Sequence, residues 1–98
     1  MEFKELQELD SIEKMPGYHG KFVHSANLTF VYWDILEGSP LPEHSHPHEQ
    51  VANVLEGEFE LTVSGETIIL KAGTVAVIPS NALHSGKALT KCRILDVF

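Results

Sequence analysis

Alternation between apolar and polar positions organises this chain from about residue 21 onward. It is clearest in Glu58-Phe59-Glu60-Leu61-Thr62-Val63, where Phe59, Leu61 and Val63 share one face while the two glutamates and Thr62 share the other. A half-buried strand is expected there. Ser64-Gly65 follows, and Ile68 with Leu70 resumes the pattern, so residues 58–70 read as a hairpin closed by a short glycine-containing turn. Residues 21–24, 28–36, 51–55, 67–70, 74–78 and 92–98 are also short, rich in β-branched or aromatic types, and bounded by Gly, Pro, Asn or Ser. Such a run of short strands predicts an all-β sandwich or barrel with antiparallel pairing. Residues 1–14 differ: Phe3, Leu6, Leu9 and Ile12 recur every three positions, which suits a short helical stretch or an arm laid over something else. Met15-Pro16-Gly17-Tyr18 ends any helix, because proline lacks the amide donor and glycine costs backbone entropy.

Composition narrows the class. At 98 residues and 10.9 kDa the chain suits one domain with one core, spanning residues 1–98. With 43% hydrophobic and 21% charged residues, it resembles neither disordered nor collagen-like sequences. The formal charge of -7, with no cluster of Lys or Arg, argues against nucleic acid and anionic lipid surfaces as partners. No apolar run approaches the ~18 residues of a membrane span. The lone Cys92 has no intrachain disulfide partner and favours a reducing compartment. Acids stand near the amino terminus where a secretory signal carries bases, so a cytoplasmic protein is expected.

The unusual feature is histidine: six in all, three of them at positions 44, 46 and 48. Imidazoles two apart on an extended chain point to one side and can meet a single ion, a geometry His44 and His46 satisfy. Gln50 and His48 share that parity, so spacing alone does not choose between them. His19 and His24 lie outside the cluster and read as incidental.

Taken together, Gly38, His44, His46, Gln50 and Gly57 fall at the intervals of the first motif of the cupin superfamily, which the segment 38–57 resembles. Fifteen residues separate Gly57 from Gly73, where a run through Pro79, Asn81 and His84 resembles the second motif, over 73–88. This resemblance implies a single-domain antiparallel jelly-roll β-barrel with Gly57 and Gly73 at turns. It also implies a divalent transition metal (Zn, Ni, Fe, Mn or Co) held by His44, His46, Gln50 and His84. Three departures stand out: Gln50 replaces the usual glutamate, Asn81 a glycine, and Ala88 a distal asparagine. Asparagine tolerates a left-handed backbone, so the turn at Asn81 should survive. Three imidazoles and an amide leave a divalent charge uncompensated, so a small anionic ligand fits.

Along the last strand Ile94, Asp96 and Phe98 share a face. If that face lines the interior, Asp96 is a carboxylate in apolar surroundings beside a cation, suited to general acid or base work. The alternative is a rim aspartate bonded to solvent or to a turn. The chain is also similar to the small cupins that open an unsaturated uronate from pectin and alginate breakdown into its linear keto form. That resemblance assigns proton handling to Asp96 and ring contact to Phe98. An Fe-dependent dioxygenase and a non-catalytic sensor or binding module are the competing readings. Cupins of this kind also imply a homodimer, for which residues 1–14, as an arm adding a strand to a neighbour, and Val31-Tyr32-Trp33-Asp34-Ile35 are the candidate contacts.

Overall fold

The computed structural model describes residues 1–98. Ten strands follow one another along the chain: β1 (Ile12–Met15), β2 (Tyr18–His24), β3 (Thr29–Ile35), β4 (Pro40–His44), β5 (Gln50–Glu56), β6 (Glu58–Val63), β7 (Glu66–Lys71), β8 (Val75–Ile78), β9 (His84–Ala88) and β10 (Cys92–Val97). They form a six-stranded sheet in the order β1-β2-β3-β10-β5-β8 and a four-stranded sheet in the order β4-β9-β6-β7. Every pairing is antiparallel. This is the all-β, two-sheet jelly-roll arrangement expected of a cupin. No helix is long and apolar enough to cross a membrane.

The core lies between the sheets and follows the alternation. Phe59 and Leu61 of β6 are buried, as are Val54 of β5 and Ile94 of β10, while the glutamates of β6 stay partly exposed. The 58–70 hairpin forms as expected, with Ser64 and Gly65 both at positive φ in its turn. Gly57, between β5 and β6, has φ +89°, and a Cβ there would collide with the Lys91 carbonyl oxygen. Only glycine allows the chain to pass between the sheets so tightly.

Two strands lacked the expected pattern. β4 carries Pro40 and Pro42 and sits at a sheet edge, where a missing amide donor is tolerated. β9 reads His-Ser-Gly-Lys-Ala, with no apolar alternation, and is held by β4 on one side and β6 on the other. The amino-terminal segment is not helical beyond a single 3-10 turn at Leu6–Glu8, which buries no side chain. Ile12–Met15 instead forms β1 and pairs with β2 of its own chain, because Pro16-Gly17 reverses direction and the Gly17 amide donates to Glu13 Oε2 at 3.1 Å. The 31–35 segment divides between the two faces of its sheet, with Tyr32 partly exposed and Asp34 exposed on the outer one. β3 lies between β2 and β10, with Val31 and Ile35 only 1% and 2% exposed in the core.

Candidate metal centre

Register brings the two histidine motifs together. His44, at the end of β4, is the direct cross-strand partner of His84 at the start of β9, and their ring centroids are 4.1 Å apart. His46 follows on the loop into β5, with its ring 5.0 Å from that of His84 and 5.7 Å from that of His44. The loop is fixed by the second motif. Asn81, left-handed at φ 63° as expected, donates its amide to the His46 carbonyl at 2.8 Å, and the Ser80 hydroxyl donates to the Pro47 carbonyl at 2.6 Å. One potential ligand atom from each of the three histidines lies within 4.8 Å of the others.

The tautomers are set by backbone. The Nδ1–H of His44 donates to the Pro42 carbonyl at 2.9 Å, that of His46 to the His48 carbonyl at 2.8 Å, and that of His84 to the Ala82 carbonyl at 2.9 Å. A carbonyl has no proton to give, so Nδ1 carries a hydrogen in all three rings, and in the neutral form of each the lone pair is on Nε2. His84 Nε2 is buried without any hydrogen-bond partner. Burial, with His44 and His46 close by, holds His84 below the usual histidine range against the opposing pull of the Ala82 carbonyl. The neutral ring is the metal-binding form.

Gln50 enters from the facing sheet. Its Oε1 lies 3.2 Å from His46 Nε2, so two lone-pair atoms face each other across a gap that no proton fills in this tautomer. A cation resolves that opposition. The four donors therefore fit a divalent ion of the kind imidazole and carbonyl ligands suit, and backbone carbonyls behind each ring supply the orientation such sites need.

Asp96 of β10 is the direct neighbour of Ala52 on β5 and points into the same space. Its Oδ2 accepts the Trp33 Nε1–H at 2.9 Å, while its Oδ1 is buried without a hydrogen-bond partner. Burial pushes this carboxyl up to about 6, against the opposing influence of the Gln50 amide, the Trp33 indole and His46. Phe98 stacks edge-on to His46 with centroids 5.6 Å apart, and its backbone is pinned to Thr29 by two hydrogen bonds of 2.9 and 3.1 Å.

All six residues singled out from sequence, His44, His46, Gln50, His84, Asp96 and Phe98, line one cavity of about 150 Å³. His48 does not line it. Its contribution is the main-chain carbonyl that fixes His46. His19 and His24 lie elsewhere, beside Glu13 and Thr29. Sequence reasoning missed Trp33, whose parity with Val31 and Ile35 on β3 would have pointed it inward opposite Ile94.

Comparison with known proteins agrees with this fold. A sequence profile described as Cupin domain matches residues 31–98. Pectin degradation protein KdgF of Dickeya dadantii (strain 3937) is 33% identical over 76 residues, covering 76% of this chain and 69% of that protein. An RmlC-like cupin from Shewanella frigidimarina NCIMB 400 superposes with a TM-score of 0.94 at 25% identity, over 100% of this chain and 89% of the other. KdgF from Halomonas sp. does so with a TM-score of 0.91 at 27% identity, over 99% and 91%. From its two motifs, its paired antiparallel sheets and these matches, the chain belongs to the cupin family.

Proposed function

We propose that this protein is a metal-dependent enzyme that converts a small unsaturated uronate from its ring form to its linear keto form. The observation that carries the reading is the unpartnered Asp96 Oδ1 in the cavity where His44, His46 and His84 bring potential ligand atoms within 4.8 Å of one another and Gln50 Oε1 lies 3.2 Å from His46 Nε2. Similarity to two proteins named KdgF, one of them described as a pectin degradation protein, supports the substrate class.

A divalent ion at His44, His46, Gln50 and His84 would supply positive charge to hold and polarise substrate oxygens. The rest falls to the chain. The reaction is an isomerisation: a proton leaves the anomeric hydroxyl, the ring carbon–oxygen bond breaks to give an aldehyde and an enol, and the former alkene carbon takes up a proton as the enol becomes a ketone. Asp96 Oδ1 is the atom that accepts and returns that proton, and a carboxyl raised to about 6 can do both near neutral pH. Trp33 keeps Oδ2 occupied, which leaves Oδ1 free for this work. The Phe98 ring walls the substrate side of His46 and excludes water.

The test is conversion of an unsaturated uronate by metal-loaded protein, followed by loss of the alkene's ultraviolet absorbance. Wild type should turn over, and Asp96→Ala should not while its metal content stays equal. A silent wild type overturns the reading, and an active variant removes Asp96 from it.

The assembly we propose is a homodimer, with its contact on the outer face of the six-stranded sheet. There Val23, Phe30, Val97, Val51 and Val77 are successive cross-strand neighbours, an apolar row crossing five strands.

A further inference from the structure

We propose that the side chains of His48 and Asn27 form a carboxylate-binding subsite outside the mouth of the metal cavity, and that they select a sugar acid over a neutral sugar. The proposal rests on the uronate reading for the identity of the anion. An open groove of about 380 Å³ lies beside the cavity, between His48 and the turn that joins β2 to β3. Phe98 lines both spaces. Its ring stands edge-on to His46 at 5.6 Å and to His48 at 6.5 Å, and the two imidazoles are 6.2 Å apart. A sugar ring laid against Phe98 with one edge toward His46 Nε2 therefore brings its other edge within reach of His48.

A carboxylate that leaves water needs N–H or O–H donors in exchange. No lysine or arginine lines either space, so uncharged side chains and imidazoles must supply them. Inside the cavity such donors are already engaged. The Nδ1–H of each of the three histidines donates to a main-chain carbonyl, the Trp33 indole to Asp96 and the Tyr18 hydroxyl to the Ser39 carbonyl. The Gln50 amide is turned to His46 and Asp96. In the groove, the Ser25 hydroxyl is held by the main chain of Leu28, and that of Thr29 by the His24 ring. The His48 imidazole and the Asn27 amide remain. Both residues are exposed, and His48 enters a hydrogen bond only through its main-chain carbonyl. An imidazole N–H donates in either protonation state, so the subsite does not require a charged His48. The groove also has no acidic lining residue, whereas a carboxylate placed in the cavity would meet Asp96.

Calorimetry on zinc-loaded protein tests the subsite with two probes that carry no alkene, glucuronate and glucose. Wild type should bind glucuronate at least about tenfold more tightly than glucose, the contribution of one hydrogen bond to a charged group. His48→Ala and Asn27→Ala should each remove most of that preference, and His48→Gln, which keeps an N–H donor, should restore it. Zinc content should match wild type, because the main-chain carbonyl that orients His46 survives the substitution. With the unsaturated uronate as substrate, the two alanine variants should act on KM and not on kcat. Glucuronate affinity unchanged in either alanine variant, or no preference for glucuronate in wild type, would overturn the proposal. A wild type that shows the preference and loses it in both variants, yet leaves the unsaturated uronate unconverted, overturns the uronate reading and supports the subsite, so the two fail separately.

Discussion

Replacing Asp96 with asparagine should stabilise the metal-free protein, and the gain should depend on pH in a defined direction. Burial raises the Asp96 carboxyl from its ordinary 3.8 to about 6, so the folded state binds its proton more tightly than the unfolded state does. Stability from this group is therefore complete below about pH 4 and is lost as pH rises through about 6. At about 1.4 kcal/mol for each pH unit, the loss amounts to roughly 3 kcal/mol above pH 7. Asparagine keeps an oxygen for the Trp33 indole but has no charge to desolvate.

Urea unfolding of both chains in chelator, from pH 4 to pH 8, measures the difference. It should be near zero at pH 4 and reach the order of 3 kcal/mol at pH 8, a melting shift of some 4–8 °C for each kcal/mol in a domain of this size. The two chains share all six histidines, so subtraction isolates the carboxylate. Adding a divalent metal should shrink the gain, because a nearby cation favours the charged aspartate. Equal stability at pH 8, or a difference that stays constant across the range, would refute the argument that burial controls this group.

Three further outcomes are expected. Zinc or nickel at a hundredfold excess over its dissociation constant should stabilise the wild type by about 2.7 kcal/mol, and thermal melts of His46→Ala should show no such metal-dependent shift. Cys92 is 0% exposed and burial raises its thiol, so iodoacetamide should leave it unmodified at pH 8 in folded protein and alkylate it fully in urea, as read by mass spectrometry. Sedimentation should give twice the 10.9 kDa chain mass for wild type and the single mass for Val77→Glu, whose side chain sits 62% exposed in the outer apolar row; a wild-type monomer would refute the dimer.

Legibility in the sequence tracked local regularity. The hairpin at residues 58–70 and the β10 face carrying Ile94 and Asp96 follow from two-residue alternation, which burial on one side of a sheet enforces. The histidine spacing was readable because an extended chain projects residues two apart to one side. β4 and β9 were hidden because partners on both motifs, not their own side chains, make them strands: Pro42 and Gly86 carry no strand signal, yet His44 and His84 meet across that pair. The three-residue period near the amino terminus suggested helix, but none of its apolar residues reaches the core, and Phe3, Leu6 and Ile12 remain 79%, 40% and 50% exposed. The main-chain carbonyls of Pro42, His48 and Ala82 were beyond reach of any pattern, because tautomer-setting contacts depend on loop path and not on residue type.

The role of Asp96 connects these observations. It is the only carboxylate lining the cavity, and four neutral donors lie beside it, so a bound divalent ion would retain positive charge for a ligand to balance. The chain as a whole carries -7, which repels an anion at long range, but salt screens that field over about 8 Å, and inside the cavity the local cation dominates. Leaving Oδ1 without a partner costs stability that a neutral residue would recover. A stability requirement would remove that carboxylate; a proton to be moved beside a polarised oxygen would retain it.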